Sequence, residues 1–308
     1  PDAQRNPGPG YPATTPMKKL AVDTAAALRG ADLASVTLRF DDTLFTGSDW
    51  GPEWPEYYRS DGTAAPVAAL MVDDGIAGAQ SWVKVADPAA AAARRFAQLL
   101  SAQGIKATDI KAEKSPSAAN RIASVSSVPV ADLVGQALTT SDNETAEALF
   151  RLAGIGAGYD GSFEGGARAV RDAVESIGVS TSGAVFVDGS GLSKQDRLSP
   201  KMLVGILRRA VTDDAQLWPI ARGLAVAGVT GTMEYRFGTP TAQQAKGWVR
   251  GKTGTLNYVS SLAGFVQSKS GRLLVYASIA NEAKSSGDAA RQIDEIAARI
   301  ARCGCDAA

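Results

Sequence analysis

The last quarter of the sequence contains three apolar runs that are separated only by short polar turns. These runs are WVRGKTGT at 248–255, SLAGFVQS at 261–268 and RLLVYASIAN at 272–281. Such runs are typical of neighbouring strands in an antiparallel sheet. A helix is expected to follow them at Asp288–Ile300. Helices segregated from a terminal run of strands predict an α+β domain or a three-layer α/β domain.

The remainder of the chain predicts helices that alternate with shorter strands. With 308 residues, the chain is longer than one core usually holds, so we expect two domains. A small, polar segment at 112–127 is interpreted as the passage between them. Apolar spacing, together with glycine and proline positions, predicts helices at Lys18–Arg29, Ala89–Gln103, Val130–Leu138, Glu144–Leu152, Ala167–Ile177 and Ser199–Arg209, and strands at 34–40, Pro66–Asp73, Ser81–Ala86, 104–113 and 184–193.

Composition excludes several classes of function. Thirty-two basic and thirty-two acidic residues cancel, so nothing suggests a nucleic-acid partner. No apolar stretch reaches the length of about 18 residues that a membrane span needs. The chain contains no histidine, which removes Ser-His-Asp and Cys-His catalysis and every histidine-ligated metal site. A catalytic base would have to be a lysine, a carboxylate or a tyrosine.

The two cysteines are too few for a metal site. Cys303 and Cys305 are one residue apart near the end of the sequence, which makes them a strained pair for a disulfide. We expect either two thiols on a loose tail or one bridge to a segment outside this sequence. No metal or organic cofactor is implied.

The stretch LTTSDNETAEAL opens an apolar-faced helix with small polar residues. One interpretation is purely structural, because Ser141 followed three residues later by Glu144 fits a capping box. The other is catalytic, because Ser141 and Asn143 form a Ser-x-Asn pattern. The stretch alone does not decide between them.

The later sequence GKTGT, residues 251–255, offers a partner for that pattern. On a strand, Lys252 supplies positive charge to the edge of a site, and Thr253 and Thr255 place hydroxyls beside it. Gly254 allows a ligand to lie close against the strand. Such an edge would hold a carboxylate, or an oxyanion forming at a carbonyl. The alternative is an edge-strand lysine that resists aggregation.

Ser-Asp-Asn followed by Lys-Thr-Gly is the pairing found in class A β-lactamases and penicillin-binding proteins. The chain resembles that superfamily, and in particular the class C low-molecular-mass penicillin-binding proteins, which are D-alanyl-D-alanine carboxypeptidases/endopeptidases. The resemblance extends to further stretches in the family's order, which are DDTLFTGSDWGPEW at 41–54, APVAAL at 65–70, VDGSGLSKQDRLSP at 187–200 and LAVAGVTGTMEYRF at 224–237.

The resemblance implies a β-lactamase/transpeptidase-like, three-layer catalytic domain of class α/β (α+β) with an inserted, mainly-β accessory region. On this basis residues 1–115 are assigned to the accessory region. Residues 116–308 are assigned to the C-terminal part of the catalytic domain.

The resemblance also implies roles for individual residues. Ser141 would pass a proton to the leaving group, and the Asn143 amide would hold the substrate's penultimate acyl side. Lys252 would supply electrostatic stabilisation. The Thr253 and Thr255 hydroxyls would bind the terminal carboxylate of D-alanine, and the Thr255 N–H would be an oxyanion donor. The neighbouring residues Asp188, Ser190 and Arg197 are instead expected to build a turn.

The family's nucleophile, the serine of a Ser-x-x-Lys motif, has no good match before Ser141. Ser81 and Lys84 have the spacing, but the stretch is predicted as a strand, which would put them on opposite faces. Thr15 and Lys18 imitate the motif with a threonine, but the matching family sequence downstream argues against them. We therefore expect that this sequence begins downstream of the nucleophile.

The resemblance implies an extracytoplasmic enzyme of the bacterial cell envelope, with possible peripheral association with membrane or cell wall. It would remove the terminal D-alanine from peptidoglycan stem peptides through an acyl-enzyme and would react with β-lactams. Endopeptidase cleavage of cross-bridges is a further activity of the same kind. Two alternatives stay open, namely a β-lactamase or esterase on the same fold, and a cell-wall-binding scaffold that has lost its nucleophile.

Overall fold

The computed structural model describes residues 17–78, 81–212 and 215–303. The chain divides into two compact units. The first unit contains residues 1–130 and 143–167, and the second contains residues 131–142 and 168–308. The chain therefore crosses from one unit to the other three times. The predicted boundary at residues 115/116 stays a prediction.

The order of the elements is mixed throughout the chain. The helices are α1 (Met17–Gly30), α2 (Tyr57–Ser60), α3 (Pro88–Ser101), α4 (Val130–Thr140), α5 (Asn143–Gly156), α6 (Phe163–Ser176), α7 (Pro200–Thr212), α8 (Trp218–Gly223), α9 (Pro240–Gln243) and α10 (Ser286–Arg302). The strands are β1 (Ser35–Phe40), β2 (Lys106–Ala112), β3 (Ala225–Val226), β4 (Val249–Leu256), β5 (Val259–Gln267) and β6 (Leu273–Ala280). Short 3₁₀ helices occur at Asp73–Gly75, Ala215–Leu217 and Gly231–Met233.

In the first unit, β1 and β2 pair in parallel and the helices α1 and α3 share a small core with them. Ala21 and Ala25 of α1 pack with Leu100 of α3 and Ile105, all of them nearly inaccessible to solvent. Alanine at the contact positions lets the two helices approach closely. The start of α3 follows from sequence, because the Asp87 side chain accepts a hydrogen bond from the Ala90 N–H at 2.8 Å.

Helix α5 anchors the aromatic loop 41–54 through Arg151, which is 1% exposed. Its guanidinium donates to the backbone oxygens of Thr46 and Ser48 and lies 4.2 Å from the centre of the Phe163 ring. Burial lowers the pKa of Arg151. A buried guanidinium that holds backbone carbonyls fixes a loop that has no regular structure of its own.

The second unit is built on a four-stranded sheet in the order β3-β4-β5-β6, and every neighbouring pair is antiparallel. Alternate residues of the central strands point into one core, where they meet the closing helix α10. That core includes Val249, Leu262, Val266 and Tyr276 from the sheet and Ile293, Ala297, Ala298 and Ala301 from α10. The three strands and the helix predicted from the C-terminal sequence are thus present.

Three predicted strands are wrong. Residues 66–73 form no strand, and residues 81–86 contribute only an isolated bridge between Ile76 and Lys84. Residues 184–193 likewise contribute only a bridge between Val185 and Arg197. An apolar run becomes a strand only when a neighbouring strand satisfies its backbone, and within the described residues these runs have no such neighbour.

Residues 17–115 hold less strand than the predicted mainly-β accessory region. Among the described residues of this range only β1 and β2 are strands, and they alternate with the longer helices α1 and α3. Among the described residues, no helix has the length and apolar character needed to cross a membrane. Cys303 is disulfide-bonded, so the expectation of two free thiols is wrong. Cys305 lies outside the described residues.

Candidate active site

Ser141 lies in the short turn that follows α4, in the second unit. It is exposed and has a left-handed backbone conformation, with φ of +60°. An N-cap residue has an extended conformation instead, so the capping-box interpretation of Ser141 is wrong. The Glu144 side chain accepts a hydrogen bond from the Ala65 N–H at 3.0 Å and pairs with Lys84 at 2.8 Å.

The structure brings Ser141 and Lys252 into contact. The Lys252 ammonium on β4 donates to Ser141 Oγ at 2.8 Å and to the Thr253 backbone oxygen at 2.8 Å. Burial of the ammonium lowers the pKa of Lys252 to about 8. A cation with a lowered pKa, bonded to a serine hydroxyl, is an arrangement that can hold and move a proton.

Two glycines, Gly223 and Gly231, let the rest of the second unit approach the end of α4 closely. A Cβ on Gly223 would lie 2.8 Å from Gly135 Cα, and a Cβ on Gly231 would lie 2.0 Å from the backbone oxygen of Thr139. Gly231 also has φ of +56°, which favours glycine. In addition, the Thr139 hydroxyl donates to the Gly223 backbone oxygen at 2.7 Å. These contacts fix the helix end that leads directly into Ser141.

Two threonine hydroxyls meet beside this contact. Thr253 Oγ1 donates to Thr232 Oγ1 at 2.8 Å, and Thr232 belongs to the short 3₁₀ helix Gly231–Met233. Sequence reasoning missed Thr232. The sequence feature that could have identified it is Thr-Gly-Thr at 230–232, which repeats the Thr-Gly-Thr of residues 253–255.

The edge of β4 beyond Gly251 is open within the described part of the chain. Strand β3 pairs only with Arg250 and Gly251, so no described strand covers that edge from Lys252 to Leu256. Lys252 and Thr253 are half-buried, while Thr255 is exposed. A Cβ on Gly254 would lie 2.3 Å from Ser261 Oγ, so this glycine makes room for the neighbouring strand β5. An open strand edge can accept an extended peptide.

Asn143 begins α5 and belongs to the first unit. Its Nδ2 donates to the Thr63 backbone oxygen at 2.8 Å. The chain crosses between the two units at Asp142/Asn143, inside the Ser-x-Asn motif. The predicted contact of Asn143 with substrate stays a prediction.

Neither predicted alternative for the nucleophile gains support from the described structure. The Lys84 ammonium donates to the Asp74 backbone oxygen and pairs with Glu144, while Ser81 Oγ accepts from the Val83 N–H. Thr15 lies outside the described residues. Asp188 builds a turn as expected, because its carboxylate accepts from the N–H groups of Gly191 and Ser193.

The geometry thus joins a serine hydroxyl, a lysine and a pair of threonine hydroxyls along one sheet edge. The profile of the D-Ala-D-Ala carboxypeptidase 3 (S13) family matches residues 76–300. The chain belongs to this family.

Curated relatives support the assignment over most of the chain. The chain is 33% identical over 290 residues to carboxypeptidase DacB of Mycolicibacterium smegmatis, covering 92% of this chain and 62% of the relative. It is 31% identical over 287 residues to a carboxypeptidase of Mycobacterium tuberculosis, covering 92% of this chain and 61% of the relative. The chain therefore spans about 60% of the length of these relatives.

The fold is that of penicillin-binding protein 4. The structure matches that protein from Haemophilus influenzae with a TM-score of 0.78 and 20% identity, over 93% of this chain and 80% of the other. A second structure of the Haemophilus protein, in complex with a novel β-lactam, matches with a TM-score of 0.60 and 26% identity, over 70% of this chain and 51% of the other. The mixed α/β class expected from the sequence is confirmed.

Proposed function

We propose that the protein acts as a serine-type D-Ala-D-Ala carboxypeptidase on peptidoglycan stem peptides, through an acyl-enzyme that β-lactams also form. The observation that carries the proposal is the 2.8 Å contact between Lys252 Nζ and Ser141 Oγ at the open edge of β4. Membership of the S13 family and the names of the relatives support the same activity.

In this proposal Ser141 delivers the proton that the leaving amine needs. A nucleophilic serine oxygen bonds to the carbonyl carbon of the penultimate D-alanine, the peptide C–N bond breaks, and the proton that this serine gives up replaces the one that Ser141 passes on. The departing nitrogen takes a proton from Ser141 Oγ, and the Lys252 ammonium bonded to that oxygen stabilises the charge that develops there.

The threonines of β4 are proposed to bind the C-terminal end of the substrate. The Thr253 and Thr255 hydroxyls bind the terminal carboxylate, and Lys252 adds positive charge beside them. The Thr255 N–H would donate to the oxyanion, and Gly254 allows the strand to pack closely on β5. The Asn143 amide is proposed to hold the penultimate acyl side.

The substrate sets the proposed location. Peptidoglycan lies outside the bacterial cytoplasmic membrane, so the protein would work in the cell envelope. Residues 1–115 are proposed as the accessory region, and residues 116–308 as part of the catalytic domain. Acylation of a serine by a peptide or by a β-lactam, as proposed here, requires no metal or organic cofactor.

The test is the reaction of the purified protein with a fluorescent penicillin, followed by intact mass spectrometry and peptide mapping. An adduct on a serine, formed at a rate that Ser141→Ala lowers roughly 100-fold or more, supports the proposal. The matched control is Ser176→Ala, because Ser176 is also exposed and its hydroxyl donates to the backbone oxygen of Ala173 in its own helix. The control should react at the unchanged rate.

Two other outcomes would contradict the proposal in different ways. Binding of a D-Ala-D-Ala peptide without any penicillin adduct favours the scaffold that has lost its nucleophile. Rapid release of hydrolysed penicillin, with no cleavage of the peptide, favours a β-lactamase on the same fold.

A further inference from the structure

We infer that Thr232 is a positioning residue for recognition of the substrate's terminal carboxylate, acting through the hydroxyl of Thr253. This inference rests on the proposed function and deepens it, because it explains how a free carboxylate is told from an amide. The observation behind it is the 2.8 Å contact between Thr253 Oγ1 and Thr232 Oγ1 in the second unit.

The two hydroxyls form a pair that can reverse its direction. In the structure, the Thr253 hydroxyl donates to Thr232 Oγ1. A carboxylate only accepts hydrogen bonds, so the Thr253 proton must turn towards it when the substrate binds. Thr253 Oγ1 can then accept the proton of Thr232, and a donor that is itself hydrogen-bonded in this way is polarised and binds an anion more strongly.

The backbone around Thr232 holds its hydroxyl in place. Gly231 has φ of +56° and lies against the Thr139 backbone oxygen, so the turn cannot slide along α4. On the other side, Thr230 Oγ1 accepts a hydrogen bond from the Val226 N–H at 2.9 Å. Thr232 is half-buried between these fixed points. Its hydroxyl therefore meets Thr253 in one geometry.

A carboxamide in the same position would gain less from this pair. Only its oxygen accepts a hydrogen bond from the polarised Thr253 hydroxyl, and it carries no negative charge for that hydroxyl or for the Lys252 ammonium. The Thr232–Thr253 pair should therefore contribute to the preference for the carboxylate more than to binding of the peptide as a whole. That preference is the quantity to measure.

The experiment compares the affinities of an N-acylated peptide ending in D-Ala-D-Ala and of its C-terminal carboxamide, measured by calorimetric titration of the full chain. We expect Thr232→Val, which keeps the shape and removes the hydroxyl, to lower the carboxylate-over-carboxamide preference roughly 10-fold. Thr232→Ser restores the hydroxyl and should return the preference to within about twofold of the unchanged protein.

The matched control is Thr212→Val, at the exposed end of α7. It removes a hydroxyl that donates to the Arg208 backbone oxygen and should leave the preference unchanged. If Thr232→Val lowers only the thermal midpoint and leaves the preference unchanged, Thr232 is merely structural and the inference is wrong. If the unchanged protein binds neither peptide, the proposed function itself fails.

Discussion

Replacing Lys252 by methionine should stabilise the folded protein at neutral pH and lose that benefit at high pH. The pKa of Lys252 is lowered by burial to about 8 from an ordinary value of 10.5. Folding therefore disfavours the charged ammonium, and the corresponding free energy is about 3 kcal/mol at pH 7. Methionine has a similar length, carries no charge and needs no solvation.

The sign follows from the protons bound in each state. Between about pH 8 and 10.5 the unfolded chain keeps the lysine proton while the folded protein releases it, so this group's destabilising contribution disappears as pH rises. The substitution also removes the bonds to Ser141 Oγ and the Thr253 backbone oxygen, which offsets about 1–2 kcal/mol. We expect a net gain of about 1–2 kcal/mol at pH 7 and a net loss of about 1 kcal/mol at pH 10.5.

The assay is urea unfolding of both proteins at pH 7 and at pH 10.5, analysed as a difference so that all other titrations cancel. Lys201→Met serves as control, because Lys201 is exposed on α7. A stability difference for Lys252→Met that is the same at both pH values would refute the reasoning. The ammonium at the site would then be retained for function at no cost to folding.

Two further predictions concern packing. Lys84→Met leaves the carboxylate of Glu144 without its buried cation and should lower the free energy of unfolding in a urea titration by about 3 kcal/mol. The control is Lys19→Met, which removes an exposed i,i+4 pair and should change that free energy by less than about 0.5 kcal/mol. Gly231→Ala should destabilise by about 2 kcal/mol or more, because its Cβ meets the backbone at the end of α4, while Gly30→Ala has open space and should be neutral or stabilising by thermal unfolding. Equal effects in either pair would contradict the geometry.

The three long strands and the closing helix of the second unit could be predicted because their sequences are locally consistent. Apolar runs separated by short polar turns predicted β4, β5 and β6, and the helix that follows them starts where Ser285 accepts from the Asp288 N–H at 3.1 Å. Such signals depend on residues close together in sequence. They can therefore be recognised in the sequence without knowledge of the tertiary fold.

The wrong strands share a different cause. Residues 66–73 are as apolar as a strand, but Asp73 and Asp74 follow with positive φ and turn the chain into a 3₁₀ helix. Residues 184–193 contain Asp188, whose carboxylate caps two backbone N–H groups and bends the chain. In both stretches a side chain or turn competes with the sheet for backbone hydrogen bonds.

Only part of the candidate site could be predicted from the sequence. Ser141 and Lys252 were singled out by their motifs, and the structure places them in hydrogen-bond contact. Thr232 was missed because its role depends on a turn that approaches both α4 and β4 only in three dimensions. One of the two interpretations made Glu144 part of a capping box, but it forms a buried ion pair with Lys84, which is far away in sequence.

The three crossings between the units have a consequence for synthesis and dissection of the protein. Neither unit is a continuous stretch of chain, and one crossing, between residues 167 and 168, falls inside the single helix α6. During translation the first unit cannot be completed until residues 143–167 have been made, by which time part of the second has already emerged. No single cut in the chain can therefore separate one complete unit from the other.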